Sequence, residues 1–327
     1  MAIEERTPLE SPVPPESPVP PEPPVPPEEI WAGQSAEVVL AEAIARRRVG
    51  DYVGAHRRLD HLSGRSELPA EVIYHRGILA EVQEDYGVAE QWYLDVVEGH
   101  PDSTVAGDAA FRRAYCLEDL GMHRKALKVV KKLQRAGEWD ASDALTMALE
   151  RGIVELRAGK RRRGIRRILR WLERSGGFEE QTWILAKARL ALVRAQLQEA
   201  ARLKLVGNRK AARRLKVRVQ LMASAEEQAK ATFLLNEPEF ALEGLLLLGD
   251  GYMQLYRDML DYPPPRSIPP EAHAAYRQTV LQKSAVLMLK AHARYDEGVR
   301  VAARTQWQGS VTERLKARRD ATAPQPD

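Results

Sequence analysis

The stretch Tyr74–Pro101, YHRGILAEVQEDYGVAEQWYLDVVEGHP, decides how this chain folds. Gly77 is followed twelve residues later by Ala89, then by Tyr93 and by Pro101. Two small residues, an aromatic and a proline at these offsets are the skeleton of a two-helix repeat of roughly 34 residues. Antiparallel helices approach closely only where the contact lacks bulk, so Gly77 is expected against Ala89. Pro101 ends the second helix, because proline cannot continue the hydrogen-bond ladder. One such unit cannot bury its own apolar face. It must stack on neighbours, and stacking makes a concave surface.

The spacing recurs on both sides. Ala43 pairs with Ala55, Ala114 with Ala126 and Gly152 with Gly164, and Gly50, Gly121 and Gly159 mark the turns inside these units. The second members of the four pairs lie 34, 37 and 38 residues apart. Four pairs in register with an apolar helical period argue for a repeat and against coincidence in an alanine-rich chain. Residues 34–177 are therefore expected to form a helical solenoid. Beyond it, Gln181–Val206 and Arg209–Leu235 read as longer helices separated by Gly207-Asn208. Pro238 starts another, running to about Leu260, since proline suits a first turn. Tyr262–Pro270, YPPPRSIPP, reads as a rigid loop. Helices from Glu271 to about Tyr295 and over roughly Val311–Arg319 follow. The expected fold is all-α: a solenoid, then a bundle of longer helices over 178–319, with a loose tail over 320–327.

Residues 1–33 differ in kind. SPVPPE at 11–16 repeats at 17–22 and returns as PPVPPE at 23–28. Proline removes donors and fixes φ, so this segment is expected to be a disordered, extended arm of ~3.1 Å per residue. A spacer is the leading reading, and a ligand for a proline-binding groove is the alternative.

Composition bounds the rest. The chain has 327 residues, 44% of them hydrophobic and 29% charged, which suits a folded, helix-rich protein. Its one cysteine, Cys116, excludes an internal disulfide and reads as a buried thiol. The first residues are acidic and hold no apolar run, so they do not read as a secretory signal. The longest apolar cluster, Leu245–Leu248, is far short of the roughly 20 residues of a membrane span. By default these features point to a soluble, cytoplasmic chain.

The net charge of +4 hides a segregation. Residues 151–220 carry 21 Lys/Arg against 5 Asp/Glu, while residues 1–35 carry Arg6 against seven glutamates. The sharpest feature is Lys160–Arg174, KRRRGIRRILRWLER. Ile165, Ile168, Leu169 and Leu172 form its apolar stripe, and Arg163, Arg166, Arg167, Arg170 and Arg174 form a cationic stripe opposite. Like charges at helical spacing repel. The stripe reads as a solvated face, as a site for an acidic protein surface or lipid headgroups, or as a nucleic-acid site, in that order. Nucleic acid ranks last because no base-stacking aromatics interleave.

The second candidate surface is the concave groove. Glu71, Tyr74, Ile78 and Glu81 in the second repeat, with Asp108, Phe111, Tyr115, Glu118 and Asp119 in the third, occupy its inward positions. Aromatics flanked by carboxylates suit a peptide with an apolar anchor and Lys or Arg. The alternative reading places Phe111 and Tyr115 in the core between repeats. No catalytic, metal-binding or phosphate-binding motif is present among the seven histidines and the glycines, so no cofactor is expected. Gly249-Asp250-Gly251 lies in a helical pattern and reads as packing.

The repeats resemble the tetratricopeptide family, which implies a protein-binding fold without chemistry of its own. A narrower resemblance rests on Asn236-Glu237-Pro238-Glu239-Phe240-Ala241, Gly249, Tyr252, Tyr262-Pro263-Pro264-Pro265 and Tyr276. This series resembles the C-terminal region of envelope tetratricopeptide proteins of myxobacteria and their relatives, one of them from a gliding-motility machinery. The late site of that group reads Thr305-Gln306-Trp307-Gln308 here and keeps only its tryptophan. The resemblance implies a non-catalytic scaffold of an envelope assembly, periplasmic or associated with the outer membrane. The alternative is a cytoplasmic regulatory repeat protein whose basic face binds an acidic protein or nucleic acid.

Overall fold

The structure is a computed structural model that describes residues 31, 34–63, 68–137, 139–176, 181–205, 210–265 and 267–323. Among these residues every regular element is helical. Four short pairs come first: α1 (Ala36–Arg48) with α2 (Tyr52–Ser63), α3 (Ala70–Val82) with α4 (Tyr86–Gly99), α5 (Ala106–Asp119) with α6 (His123–Ala136), and α7 (Ala141–Arg157) with α8 (Arg161–Glu173). Two long pairs follow: α9 (Thr182–Arg202) with α10 (Ala211–Phe233), and α11 (Pro238–Leu260) with α12 (His273–Thr305). Helix α13 (Ser310–Ala321) packs on α12 and α11. The first helix of a pair also touches the first helix of the next, α1 on α3, α3 on α5, α7 on α9 and α9 on α11. The long helices thus continue the pairwise stacking, and the molecule is an all-α repeat solenoid.

The turn inside each short pair needs one residue in the left-handed region. Gly50, Glu84, Gly121 and Gly159 have φ of 82°, 61°, 73° and 81°. Each lies seven residues after the small residue of its first helix, Ala43, Gly77, Ala114 and Gly152. Glycine adopts this conformation without a Cβ penalty. Glu84 shows that the geometry of the pair imposes it even where glycine is missing.

The small anchors are all buried, and each acts through a particular neighbour. A Cβ on Gly164 would lie 2.7 Å from the carbonyl oxygen of Gly152, so α7 and α8 meet backbone to backbone. Gly77 was expected against Ala89, but the atom that fills its gap is the Tyr93 ring, 2.5 Å from where a Cβ would stand. Gly249 repeats this arrangement in the last pair, 2.2 Å from the Tyr295 ring by the same measure. Asp250 then accepts from the Tyr295 hydroxyl at 2.9 Å, and Gly251 faces Leu197, so that triplet is packing. Fully burying each of these large side chains stabilises by about 1.5–3 kcal/mol.

Several boundaries differ from expectation. Trp31, assigned to the arm, is buried against α2, edge-on to His61 and 5.0 Å from the Arg58 guanidinium. It is a large apolar group in reach of Val39 and Leu62, and it joins their core. The rest of the expected arm lies outside the described residues, as do Gly207-Asn208 and residues 324–327. Helix α12 runs ten residues past Tyr295, because Tyr295, Val301 and Ala302 supply core contacts over that length. Helix α13 extends two residues past Arg319, and Thr322 then hydrogen-bonds the Arg318 carbonyl and His292. Leu169 of the expected apolar stripe is 40% exposed. Gly164 and Ile168 face α7, and Leu169 lies about 100° further round from Ile168.

Candidate interaction surfaces

Helices α5, α9 and α11 carry an aromatic ladder. Phe111 and Tyr115 on α5, Trp183 on α9 and Phe240 at the start of α11 follow one another at centroid separations of 5.3, 5.4 and 6.4 Å. These are edge-to-face and tilted contacts in the favourable range for aromatic pairs. Phe111, Tyr115 and Trp183 border a cleft of about 420 Å³, closed on the other side by Tyr74 and Arg112, with Glu81 and Asp108 at its edge. Trp183 is 38% exposed and offers the largest apolar surface there.

The charges of this face fall into two groups. Some are consumed internally. Glu81 accepts from the Tyr93 hydroxyl at 2.6 Å and from Arg112 at 3.1 Å, and Arg112 also reaches the Tyr74 hydroxyl. Burial, then Glu81, pushes the Tyr93 phenol far above its ordinary value. Glu118, expected as a groove carboxylate, is instead buried and paired with Arg157 at 2.8 Å and Lys187 at 3.2 Å. A carboxylate under the ladder holds its charge only with such partners. Lys187 also reaches the fully buried Glu150 at 3.0 Å, and its Nζ lies 3.6 Å from the Tyr115 ring centroid. Burial and the neighbouring Glu118, which outweigh Lys187, push the Glu150 carboxyl up to about 8. Burial, then Glu150 and Glu118, raises the Tyr115 hydroxyl well above its usual range.

The other group stays open. Among the described residues no cation pairs with Asp108, Asp119 or Glu239, and all three are exposed. Partial desolvation and then Glu118 raise Asp119, while desolvation, Glu243 and Asp119 raise Glu239. Glu71 is half-buried, one turn before His75, and lies outside the cleft, and Ile78 belongs to the core.

On α8 and just after it, Arg163, Arg166, Arg170 and Arg174 are exposed. Arg167 departs from this stripe. Its Nε donates to Glu155 at 3.1 Å, because Glu155 on α7 is fully buried and needs a cation. Sequence reasoning did not single out Trp183 or Lys187, and it named Phe240 only within the narrower resemblance, not as part of the groove. The signal was present, since Trp183 and Lys187 stand four apart on one face of α9. Cys116 is fully buried, and burial, then Glu81 and Asp119, pushes its thiol up to about 12. Among the described residues no helix is long and apolar enough to cross a membrane.

No family model matches the sequence, and no curated protein matches it. Several solved structures are similar to it. One is a tetratricopeptide repeat protein from Parabacteroides merdae, 15% identical over 89% of this chain and 99% of that one, with a TM-score of 0.44. Another is PilW, described as a widely conserved type IV pilus biogenesis factor, 13% identical over 88% of this chain and 99% of that one, with a TM-score of 0.48. A third is a circular tandem repeat protein with novel repeat topology, 13% identical over 90% of this chain and 64% of that one, with a TM-score of 0.24.

Proposed function

We propose that the protein is a non-catalytic scaffold that holds an extended segment of a protein partner along its concave face. The observation that carries this reading is Trp183, exposed in the middle of the Phe111–Tyr115–Trp183–Phe240 ladder beside carboxylates without counter-ions. Aromatic anchors of this kind dominate binding energy at interfaces. Asp108, Asp119 and Glu239 select a partner segment with an aromatic or branched apolar anchor flanked by Lys or Arg.

An array of such peptides, with calorimetry on those retained, tests the proposal. Trp183→Ala is expected to weaken binding by about tenfold or more, the loss typical of a central aromatic anchor, with helix content unchanged. Replacing the peptide's Lys and Arg by Glu is expected to abolish it. Peptides that bind Trp183→Ala and Phe111→Ala as tightly as the parent would place the docking site elsewhere. Placement in a cell-envelope assembly, with a periplasmic or outer-membrane address and a gliding-motility role, is the finer part of the proposal. It rests on the resemblance of residues 236–307 alone. Finding the protein only in the cytosolic fraction would remove it.

A further inference from the structure

Helices α6 and α8 are the most sharply two-sided helices described, and their outer sides are cationic. Helix α6 holds no Asp or Glu, and α8 holds only Glu173, at its last position. Lys125, Lys128 and Lys132 on α6 and Arg163, Arg166 and Arg170 on α8 are exposed. Among the described residues none of the six has a carboxylate within ion-pair distance. The cations that turn inward behave differently, since Arg161 pairs with Glu199 and Arg167 with Glu155. The two helices feel each other's charge. Partial desolvation first, then Lys160 and Arg151 with Arg163 adding, hold the Lys131 ammonium below the usual lysine range. Like charges gathered this closely repel, so an anion that settles on them stabilises the face.

We propose that the glutamates of the chain's own N-terminal segment occupy this α6–α8 face. Three observations support that occupant over any other. The first is charge: Glu10, Glu16, Glu22 and Glu28 recur every six residues. Six residues are two turns of a polyproline helix, which would set these carboxylates on one side about 19 Å apart. The second is where the segment leaves the fold. Trp31 packs on His61 and Arg58 of α2, the second helix of its pair, as α6 and α8 are of theirs. The third is reach. Four helix-to-helix steps separate α2 from α6, no more than about 40 Å at the usual 8–10 Å between axes. At ~3.1 Å per residue, Glu16 can lie about 47 Å from Trp31 and Glu10 about 65 Å, both beyond that span, while Glu22 lies about 28 Å away. Helix α4, which lies between, carries Asp95 and Glu98 and offers the segment no cation. The contact therefore falls chiefly on Glu10 and Glu16, with Glu22 on the approach to it. Tethering raises their local concentration to the millimolar range, so individually weak ion pairs suffice. Docked, the segment masks the basic face until a stronger acidic ligand displaces it.

Carbodiimide coupling of the full chain, followed by peptide mapping, tests this directly, because it joins only carboxylates and amines in contact. Amide links from Glu10, Glu16 or Glu22 to Lys125, Lys128 or Lys132 are expected at low salt. Their yield should fall about tenfold in 0.5 M NaCl, where the screening length is only about 4 Å. It should fall similarly in the triple variant Arg163→Gln, Arg166→Gln, Arg170→Gln, which keeps every lysine. Mixing isotope-labelled and unlabelled chains separates links within one chain from links between copies. Absent links, links only between copies, or links indifferent to salt and to the triple variant overturn the proposal. A second measurement reads the masking. Heparin, or vesicles of phosphatidylcholine and phosphatidylserine, should bind the variant Glu10→Gln, Glu16→Gln, Glu22→Gln about tenfold more tightly than the parent, the gain from losing a tethered competitor. Equal binding of the two proteins means that the segment does not cover the face.

Discussion

At the scale of single residues, the least comfortable group is Glu150. It is fully buried, and it divides one ammonium, that of Lys187, with Glu118. Its folded pKa of about 8 lies above the ordinary carboxyl value. The folded state therefore holds a proton that the unfolded chain releases, and stability falls as pH rises from about 4.5 to 8. His75 works with the opposite sign. Burial first, then Arg47 and Arg112, lower its pKa to about 4, so its contribution is lost as pH falls from about 6.5 to 4. The interval from pH 6.5 to 8 thus isolates Glu150 from His75. Across it the thermal midpoint of the parent is expected to fall, and that of Glu150→Gln to fall less. Parallel midpoints would show that Glu150 keeps its charge throughout. None of this was legible in the sequence, where Glu118, Glu150 and Glu155 look like any helix-surface carboxylates. Only the stacking of α5, α7 and α9 puts two of them around one lysine.

At the scale of helices, the close contact of α7 and α8 depends on having no side chain at either crossing residue. Gly164→Ala would set a Cβ 2.7 Å from the Gly152 carbonyl, and backbone cannot yield there as a side chain can. Alanine gains up to about 1 kcal/mol of helix propensity, but overpacking costs about 1–3 kcal/mol. Net destabilisation is expected in chemical denaturation. Gly87→Ala is the control, because its Cβ would meet only Asp85, at 3.8 Å, and it should be neutral or stabilising. Equal effects of the two changes would mean that propensity, not contact, governs the crossing. The twelve-residue spacing made the four short pairs legible because a short turn fixes which residues meet. The long pairs kept the contact and lost the spacing. Gly77 and Tyr93 are 16 residues apart, whereas Gly249 and Tyr295, in the same glycine-to-tyrosine contact, are 46 apart. Trp183 escaped notice for the same reason, and Phe240 entered only through the resemblance. Phe111 and Tyr115 stand beside the anchor Ala114, so the sequence could name them, but it left open whether they face the groove or the core between repeats.

At the scale of the molecule, the stacking separates two chemistries: aromatics and open carboxylates on α5, α9 and α11, uncompensated cations on α6 and α8. It also makes stability a matter of neighbours, since in such arrays each unit gains stability mainly from the next. Beyond the last described pair, α13 packs on α12 and α11. Leu315 is fully buried and sits where a Cβ on Gly298 would be 2.8 Å away, so α13 closes tightly on α12. Leu315→Asp would bury a charge with no counter-ion among its apolar neighbours Tyr295, Val301 and Ala302. Amide hydrogen exchange is expected to quicken in α13, in the C-terminal half of α12 and, less, in α11. Exchange in α1–α4 should stay as in the parent, because no described contact joins them to α13. Uniform quickening along the whole chain would show that the six pairs unfold as one block, and that α13 stabilises all of them and not the last pair alone.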